Sequence, residues 1–249
     1  MPQNYVNMVL AKHAVDPQLA TKYYEFFKPY IEDWAKNCLS QVKISGSSKK
    51  GTAVANGTDV DLFISLSSTT NNTLKEIYDY LFDYLNGKGF KVRKQNVSIG
   101  VDYNGYQIDL VPAKRQGPHG NDHSLYVSKK NTWTKTNIDT HAVKVLGSNR
   151  LDEIKLTKIW RNQQGLDFPS FYLELLVIDA LKHHTVGDTA NNFLKVLQFI
   201  IDNIETRTYM DPANTNNCIS DQIDLATKRR IAHAASSSIN EQYWENIVS

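Results

Sequence analysis

Residues 45–66 read SGSSKKGTAVANGTDVDLFISL and join a Gly-Ser turn to two acidic residues inside an apolar run. From residue 59 onward the letters alternate, so a β-strand here puts Asp59 and Asp61 on one face and three aliphatic side chains on the other. Two carboxylates about 7 Å apart on one strand face repel each other. A divalent cation removes this repulsion, and oxygen ligands of this kind suit magnesium.

Gly46 and Ser47 precede the acidic strand and offer bare backbone N–H groups and a hydroxyl. Groups of this kind commonly bind phosphate oxygens. Together with Asp59 and Asp61, they predict a magnesium-dependent site that acts on a nucleoside triphosphate. The motifs GxxxxGK[ST], HExxH and GxSxG are absent, which argues against a P-loop NTPase, a zinc protease and a serine hydrolase.

The order Gly46-Ser47, Gly51-Thr52, then Asp-x-Asp resembles the signature of the DNA polymerase β-type nucleotidyltransferase superfamily. The form GSxxKGTA…DVDLF is most similar to the CD-NTases, the bacterial cyclic-oligonucleotide synthases related to animal cyclic GMP-AMP synthase and the oligoadenylate synthases. The CCA-adding enzymes carry a similar signature, so this stretch indicates the superfamily more firmly than the branch.

Asn104-Gly105 lies between two alternating runs and predicts a two-residue type I′ hairpin turn. In that register Gly100 faces Asp109, which projects from the polar face with space above the glycine. A solvated edge position, with Gly100 as a bulge, is the alternative. The segment IDLVPA resembles the third carboxylate strand of the CD-NTases and CCA-adding enzymes. The resemblance therefore implies a catalytic and metal-binding triad: Asp59, Asp61 and Asp109.

Helical spacing predicts helices before residue 40, over residues 71–86 and through most of the chain after the loop that begins near residue 115. The predicted fold class is α+β. A polymerase β-type nucleotidyltransferase palm, with a mixed sheet and helices on one face, precedes an all-helical lobe. The palm with the N-terminal helices is expected in residues 1–120 and the helical lobe in residues 121–249, with the active site in the cleft between them.

Residues 150–163 predict a helix in which Lys155, Lys158 and Arg161 recur every three residues as a basic stripe. A solvated helix face explains such a stripe equally well. However, KxWRN followed by FPSFYLELL, residues 168–176, is similar to a motif of the family's helical lobe.

In that motif the Lys and the Ser contact the donor triphosphate, and an adjacent aromatic ring lies against a base. The resemblance therefore implies triphosphate contacts from Lys158 and Ser170 and a base contact from Phe171 or Tyr172. Ser170 follows Pro169 at a predicted helix start, where capping alone also explains a hydroxyl.

The composition limits which partners the chain is expected to bind. With 28 Lys and Arg against 26 Asp and Glu, the net charge is only +2, which argues against a long nucleic-acid track. No segment approaches the roughly 20 apolar residues of a membrane span, and the N-terminus has no signal-peptide pattern. Cys38 and Cys218 are expected to be reduced and mostly buried, which favours a cytoplasmic protein without membrane association.

The resemblance implies a nucleotidyltransferase that uses two Mg²⁺ ions, or Mn²⁺ in their place, to join nucleoside triphosphates into a cyclic or linear oligonucleotide with release of pyrophosphate. ATP is the expected substrate, with GTP, UTP and CTP as further candidates, and nucleic acid is not required. The product would be a second messenger in antiphage (antiviral) defence, sensed by a downstream effector. The alternatives are an RNA-end nucleotidyltransferase of the CCA-adding or oligoadenylate type and a catalytically idle nucleotide-binding module.

Overall fold

The structure, a computed structural model, describes residues 2–55 and 59–249. The chain forms two compact units. The sheet unit consists of Asp16–Lys50 and Thr58–Ala142, and the helical unit consists of Met1–Val15, Gly51–Gly57 and Val143–Ser249.

Helices and strands are mixed in the first half of the chain, and helices dominate the second half. The helices are α1 (Pro2–Lys12), α2 (Leu19–Ala35), α3 (Gly46–Lys50), α4 (Leu74–Gly87), α5 (Ile138–Leu146), α6 (Leu151–Gln163), α7 (Ser170–Ala180), α8 (Thr189–Asn203), α9 (Leu225–Ile239) and α10 (Trp244–Ile247). The strands are β1 (Leu39–Ile44), β2 (Val60–Leu66), β3 (Lys91–Lys94), β4 (Ile99–Tyr103), β5 (Tyr106–Arg115), β6 (His123–Val127), β7 (Thr132–Thr136), β8 (Met210–Asp211) and β9 (Asn214–Cys218).

The sheet unit is built on a mixed seven-stranded sheet. Its main order is β1-β2-β5-β4-β3, and β6 and β7 extend it from the end of β5. Strands β2 and β5 are parallel neighbours, whereas the other pairs in this sheet are antiparallel. The parallel pair lies at the centre, so residues from two distant parts of the chain meet there.

One face of this sheet is covered by helices, as the sequence predicts. Helix α2 brings aromatic side chains to the hairpin β4–β5: Phe26 stacks on Tyr103 with ring centroids 4.4 Å apart, and Tyr23 lies 5.4 Å from Tyr106. Helix α4 buries an apolar stripe and begins with a capping box between Thr73 and its third residue.

The predicted hairpin is confirmed. Asn104 and Gly105 have φ of 49° and 79°, the left-handed values that a type I′ turn requires at both central positions. Gly100 pairs with Asp109, as the turn predicts. Two consecutive left-handed residues are inexpensive for Asn-Gly, so the local sequence is sufficient to set the register.

Two small β-structures lie within the part of the chain expected to be mostly helical. Strand β6 continues the sheet by pairing with Lys114 and Arg115, and β7 pairs with β6. Strands β8 and β9 form a separate two-stranded ribbon between α8 and α9. These strands are short and polar, so hydrophobic periodicity does not indicate them.

The two units divide the chain differently from the expected boundary between residues 120 and 121. The sheet unit extends to Ala142, because β6 and β7 remain hydrogen-bonded to β5. Helix α1 groups with the helical unit, where it packs against α6 and α8.

The helical unit has its own hydrophobic core. Trp160, Tyr172 and Phe193 are fully buried at its centre, and Val6 of α1 and Val54 of the 51–55 segment complete it. The two cysteines are free and only partly buried, one in each unit. In the described residues, every helix is too short or too polar to span a membrane.

Candidate active site

The central parallel pair brings two of the three predicted acidic residues together. In the register of β2 and β5, Asp61 pairs directly with Asp109. Paired residues of neighbouring strands project to the same face, and the strands are about 4.8 Å apart. The two carboxylates therefore lie side by side on one face of the sheet.

Asp59 directly precedes β2, and strand alternation gives it the same side as Asp61. Desolvation by the surrounding protein raises the pKa of Asp59, although the residue reaches solvent, and the negative charge of Asp109 raises this pKa further. Such a contribution requires the two carboxylates to be near each other. The structure thus pairs Asp61 with Asp109 and brings Asp59 within electrostatic reach of Asp109.

The Gly-Ser turn lies against this group. The backbone N–H of Ser45 donates to the main-chain oxygen of Asp61 at 2.8 Å, which holds the end of β1 beside β2. Gly46 has φ of 58°, and a Cβ atom at this position would collide with the Asp61 carboxylate. Glycine is therefore required at position 46, both for its backbone conformation and for this close approach.

Asp109 is partly buried and lies within hydrogen-bond distance of donors on three uncharged side chains. Gln95 Nε2 and Gln107 Nε2 donate to its Oδ1 at 3.1 and 3.2 Å, and Ser98 Oγ donates to its Oδ2 at 3.3 Å. Burial raises the pKa of Asp109, and the hydrogen bonds from Gln107, Ser98 and Gln95 partly oppose this rise.

The expectation of free space above Gly100 is wrong. A Cβ on Gly100 would lie 2.5 Å from Gln107 Nε2 and 2.8 Å from Gln95 Nε2. The two amides that reach Asp109 occupy this space. The absence of a side chain at Gly100 lets the amides cross the strand.

The donor set suits a hard divalent cation. Within residues 2–55 and 59–249, no group of three or more His, Cys, Asp or Glu side chains is arranged so that it could hold a metal ion. The carboxylates of Asp59, Asp61 and Asp109 nevertheless share one face, and the raised pKa values of Asp59 and Asp109 show that their surroundings disfavour ionisation. A bound cation reverses that preference, and carboxylate oxygens are the ligands that magnesium prefers.

The predicted basic stripe of α6 is not a solvated face. Lys158 and Arg161 are buried, with only 2% and 9% of their surfaces exposed. Lys158 Nζ lies 2.7 Å from Glu174 Oε1, 2.9 Å from Thr52 Oγ1 and 3.2 Å from Thr52 O. Lysine has three N–H donors, and these three acceptors can use all of them. A triphosphate contact from Lys158 would require this network to open.

The other residues expected from the helical-lobe motif differ in their accessibility. Ser170 is the first residue of α7, whose N-cap position is Pro169, and Ser170 Oγ accepts from Arg161 Nη1 at 3.1 Å. Phe171 is partly exposed, whereas Tyr172 is fully buried between Phe168 and Tyr209. Of the two aromatic candidates for a base contact, only Phe171 has an accessible ring.

Sequence reasoning places Ser98 and Gln107 on the face of Asp109 but assigns no role to the residues that surround its carboxylate. Gln95, Ser98 and Gln107 belong to no motif quoted for the family, and Arg93 is exposed but lowers the pKa of both Asp59 and Asp109. The strand registers indicate two of these residues. The β4–β5 register places Gln107 on the face of Asp109, and the β3–β4 register pairs Arg93 with Gly100.

No protein-family model matches the chain. A curated relative, the cyclic AMP-AMP-AMP synthase of Escherichia coli (strain MS 115-1), is 27% identical over 190 residues, which are 68% of this chain and 58% of that protein. The match thus spans less than two thirds of the relative's own length.

Solved structures resemble the whole fold. E. coli MS115-1 CdnC with ATP has a TM-score of 0.75 at 19% identity, over 98% of this chain and 94% of that one. The Bradyrhizobium diazoefficiens CD-NTase CdnG with GTP has a TM-score of 0.77 at 14% identity, over 96% and 90% of the two chains. This chain therefore shares the fold of the CD-NTase structures and is similar in sequence to a cyclic AMP-AMP-AMP synthase.

Proposed function

We propose that the chain is a magnesium-dependent nucleotidyltransferase that joins nucleoside triphosphates into a cyclic or linear oligonucleotide and releases pyrophosphate. The observation that carries this proposal is the pairing of Asp61 with Asp109, with Gly46 packed against the Asp61 carboxylate. The relatives add support, since the curated one is a cyclic AMP-AMP-AMP synthase and CdnC was solved with ATP. ATP is therefore the first substrate to test, followed by GTP, UTP and CTP.

In the proposed reaction a ribose hydroxyl of the acceptor nucleotide attacks the α-phosphorus of the donor. The new phosphodiester bond forms as the bond to the β-phosphate bridging oxygen breaks, and pyrophosphate leaves with that electron pair. Asp59, Asp61 and Asp109 would hold two Mg²⁺ ions, which supply charge neutralisation of the triphosphate and a lowered pKa of the attacking hydroxyl. Asp109 is the proposed acceptor of the hydroxyl proton.

The remaining proposed contacts place the donor nucleotide. Gly46 and Ser47 would bind phosphate oxygens through backbone N–H groups and the hydroxyl. Ser170 would add a hydroxyl, and Phe171 would lie against a base. Positioning and charge neutralisation supply most of the rate enhancement in phosphoryl transfer, so no covalent intermediate is needed.

Substitution of Asp59 by alanine tests the proposal. Asp59→Ala removes one carboxylate whose pKa is raised by its surroundings, so the protein should fold and lose magnesium-dependent pyrophosphate release from ATP. Asp83→Ala is the matched control, because Asp83 is an exposed acidic residue of α4. If Asp59→Ala turns over ATP at the rate of the control, the proposed function is wrong.

The product and the RNA requirement separate the alternatives. Mass spectrometry of the products from mixed nucleoside triphosphates identifies base choice, linkage and ring size. Activity that persists with no RNA added and after nuclease treatment would exclude RNA-end transfer. Nucleotide binding with no pyrophosphate release would instead indicate an idle binding module.

The cellular role is proposed by analogy with the family. A cyclic or linear oligonucleotide product would act as a second messenger in antiphage defence, made in the cytoplasm and sensed by a downstream effector. The test is to add the purified product to candidate effectors and measure their activation.

A further inference from the structure

Asp109 is bound by donors from three different positions of one hairpin system. Gln95 lies in the turn between β3 and β4, Ser98 directly precedes β4, and Gln107 lies two residues before Asp109 on β5. Both amides converge on Oδ1, at 3.1 and 3.2 Å. Since all three donors are uncharged, they orient the carboxylate and leave its negative charge available to a cation.

The Gln95 donor is itself rigidly supported. Its main-chain oxygen accepts from Tyr78 Oη at 2.5 Å and Ser128 Oγ at 2.7 Å. Its side-chain Oε1 lies 2.7 Å from Ser98 Oγ, whose single hydrogen donates either here or to Asp109 Oδ2 at 3.3 Å, and this contact directs the Nε2 group toward Asp109. Helix α4, the β6–β7 connection and the residue before β4 therefore all help to fix this one amide.

Gly100 is the third component of the arrangement. It is buried, and its cross-strand partner is Asp109. A methyl group here would lie 2.5 Å from Gln107 Nε2 and 2.8 Å from Gln95 Nε2, closer than real Cβ contacts allow. Both amides therefore depend on glycine at this position.

We propose that Gln95, Gln107 and Gly100 form an amide cradle that positions Asp109 beside Asp61 for metal binding. This inference rests on the proposed function. Gln95 and Gln107 are positioning residues, because they contact Asp109 and are assigned no contact to the substrate. Partners of this kind typically contribute a factor of about 10 to 100 in metal affinity or activity.

Methionine substitutions test the amides, because methionine keeps the length of glutamine and removes both N–H donors. Gln107→Met and Gln95→Met should each weaken the binding of Mn²⁺ alone, measured by electron paramagnetic resonance, by about 10- to 100-fold. Their kcat should fall by a similar factor with the KM for ATP little changed. Gln107→Glu should be worse than Gln107→Met, because it places a second negative charge beside Asp109.

Gly100→Ala tests the cradle without removing any polar group. It should weaken Mn²⁺ binding and lower kcat, since the new methyl group displaces the amides. Gly87→Ala is the matched control, because a Cβ at Gly87 meets nothing within 4 Å. Thermal unfolding of each variant establishes that the effect is not a loss of fold.

The outcomes separate the cradle from the proposed function. If folded Gln107→Met and Gly100→Ala bind Mn²⁺ and turn over ATP like Gly87→Ala, while Asp59→Ala is inactive, the cradle is wrong and the proposed function stands. If Asp59→Ala is fully active, the proposed function is wrong, and the cradle, which rests on it, is wrong as well. Loss of Mn²⁺ binding in Gln107→Met and Gly100→Ala, with unchanged unfolding temperatures, supports the cradle.

Discussion

At the residue scale, the ionised carboxylates of Asp59 and Asp109 lower the stability of the folded protein. Burial and neighbouring negative charge raise the pKa of Asp59, and burial raises the pKa of Asp109 despite three hydrogen bonds. Ionised carboxylates are thus less favourable here than in the unfolded chain. Sites whose surroundings perturb ionisation in this way are typical of function, because selection for stability alone would remove the charges.

This cost predicts the effect of Asp109→Asn. A carboxyl whose folded-state pKa is raised contributes stability that is present below its unfolded pKa and is lost as the pH rises through the folded value. Asparagine does not ionise, so Asp109→Asn avoids this loss of folding stability at higher pH. It also keeps a side-chain oxygen that can accept hydrogen bonds from Gln95 and Gln107. The variant should therefore unfold at a higher temperature than the parent near pH 7, with the difference vanishing below the ordinary pKa of aspartate.

Calorimetry of both proteins between pH 3 and pH 7 measures this difference. A parent protein that is more stable than Asp109→Asn at neutral pH would contradict the assigned direction of the pKa shift. The same variant should be inactive in pyrophosphate release, so stability and activity would change in opposite directions.

At the element scale, a buried ion pair joins helices α6 and α7 to the 51–55 segment. Lys158 and Glu174 are 2% and 0% exposed, and Thr52 Oγ1 donates to Glu174 Oε1 at 2.8 Å. The helical-lobe motif that predicts a triphosphate contact for Lys158 thus has, in this structure, an internal partner for that lysine. Helix α6, helix α7 and a loop within residues 45–66 therefore meet at this ion pair.

Glu174→Gln tests the structural role of the pair. It leaves a buried ammonium without its carboxylate, so the free energy of unfolding should fall by about 3–5 kcal/mol. Glu205→Gln is the control, because its ion pair with Arg229 is exposed and should contribute less than about 1 kcal/mol. Urea denaturation measures both losses.

The double variant Lys158→Met with Glu174→Leu should recover most of the loss, since apolar side chains of similar size replace buried ion pairs well. Equal losses for Glu174→Gln and Glu205→Gln would show that the buried pair has no special structural role.

At the scale of the whole molecule, the helical unit is assembled from three separate parts of the chain. Its core includes Val6 and Val9 of α1 and Val54 of the 51–55 segment, each less than 5% exposed. The chain therefore passes from the helical unit into the sheet unit and back more than once.

This arrangement predicts that residues 121–249 alone do not fold cooperatively. Burial of each of the three missing valines contributes about 1.5–3 kcal/mol, which is a large part of the stability of a small unit. The isolated fragment should show no sharp thermal transition and should bind a hydrophobic dye. As a control, residues 2–15 are added as a separate peptide, which restores two of the three missing valines and should increase the order of the fragment. A cooperative transition of the fragment alone would contradict the prediction.

The sequence by itself determined the features that depend on neighbours along the chain. The alternation after Asp59 predicts a strand with both carboxylates on one face, and Asn104-Gly105 predicts the turn and register that place Gly100 opposite Asp109. These features follow from backbone geometry and turn chemistry, which act over a few residues. The family resemblance extended them to the fold, which the solved structures confirm.

Tertiary structure alone decided which side chains meet. Glu174 takes Lys158 as its partner, Tyr172 is buried where Phe171 is accessible, and Gln95 reaches Asp109 across Gly100. Such contacts join residues that are distant in sequence, and no local periodicity encodes their packing. The alternation of the acidic strand was readable from the chain, whereas the surroundings of Asp109 depend on how the sheet and its turns assemble.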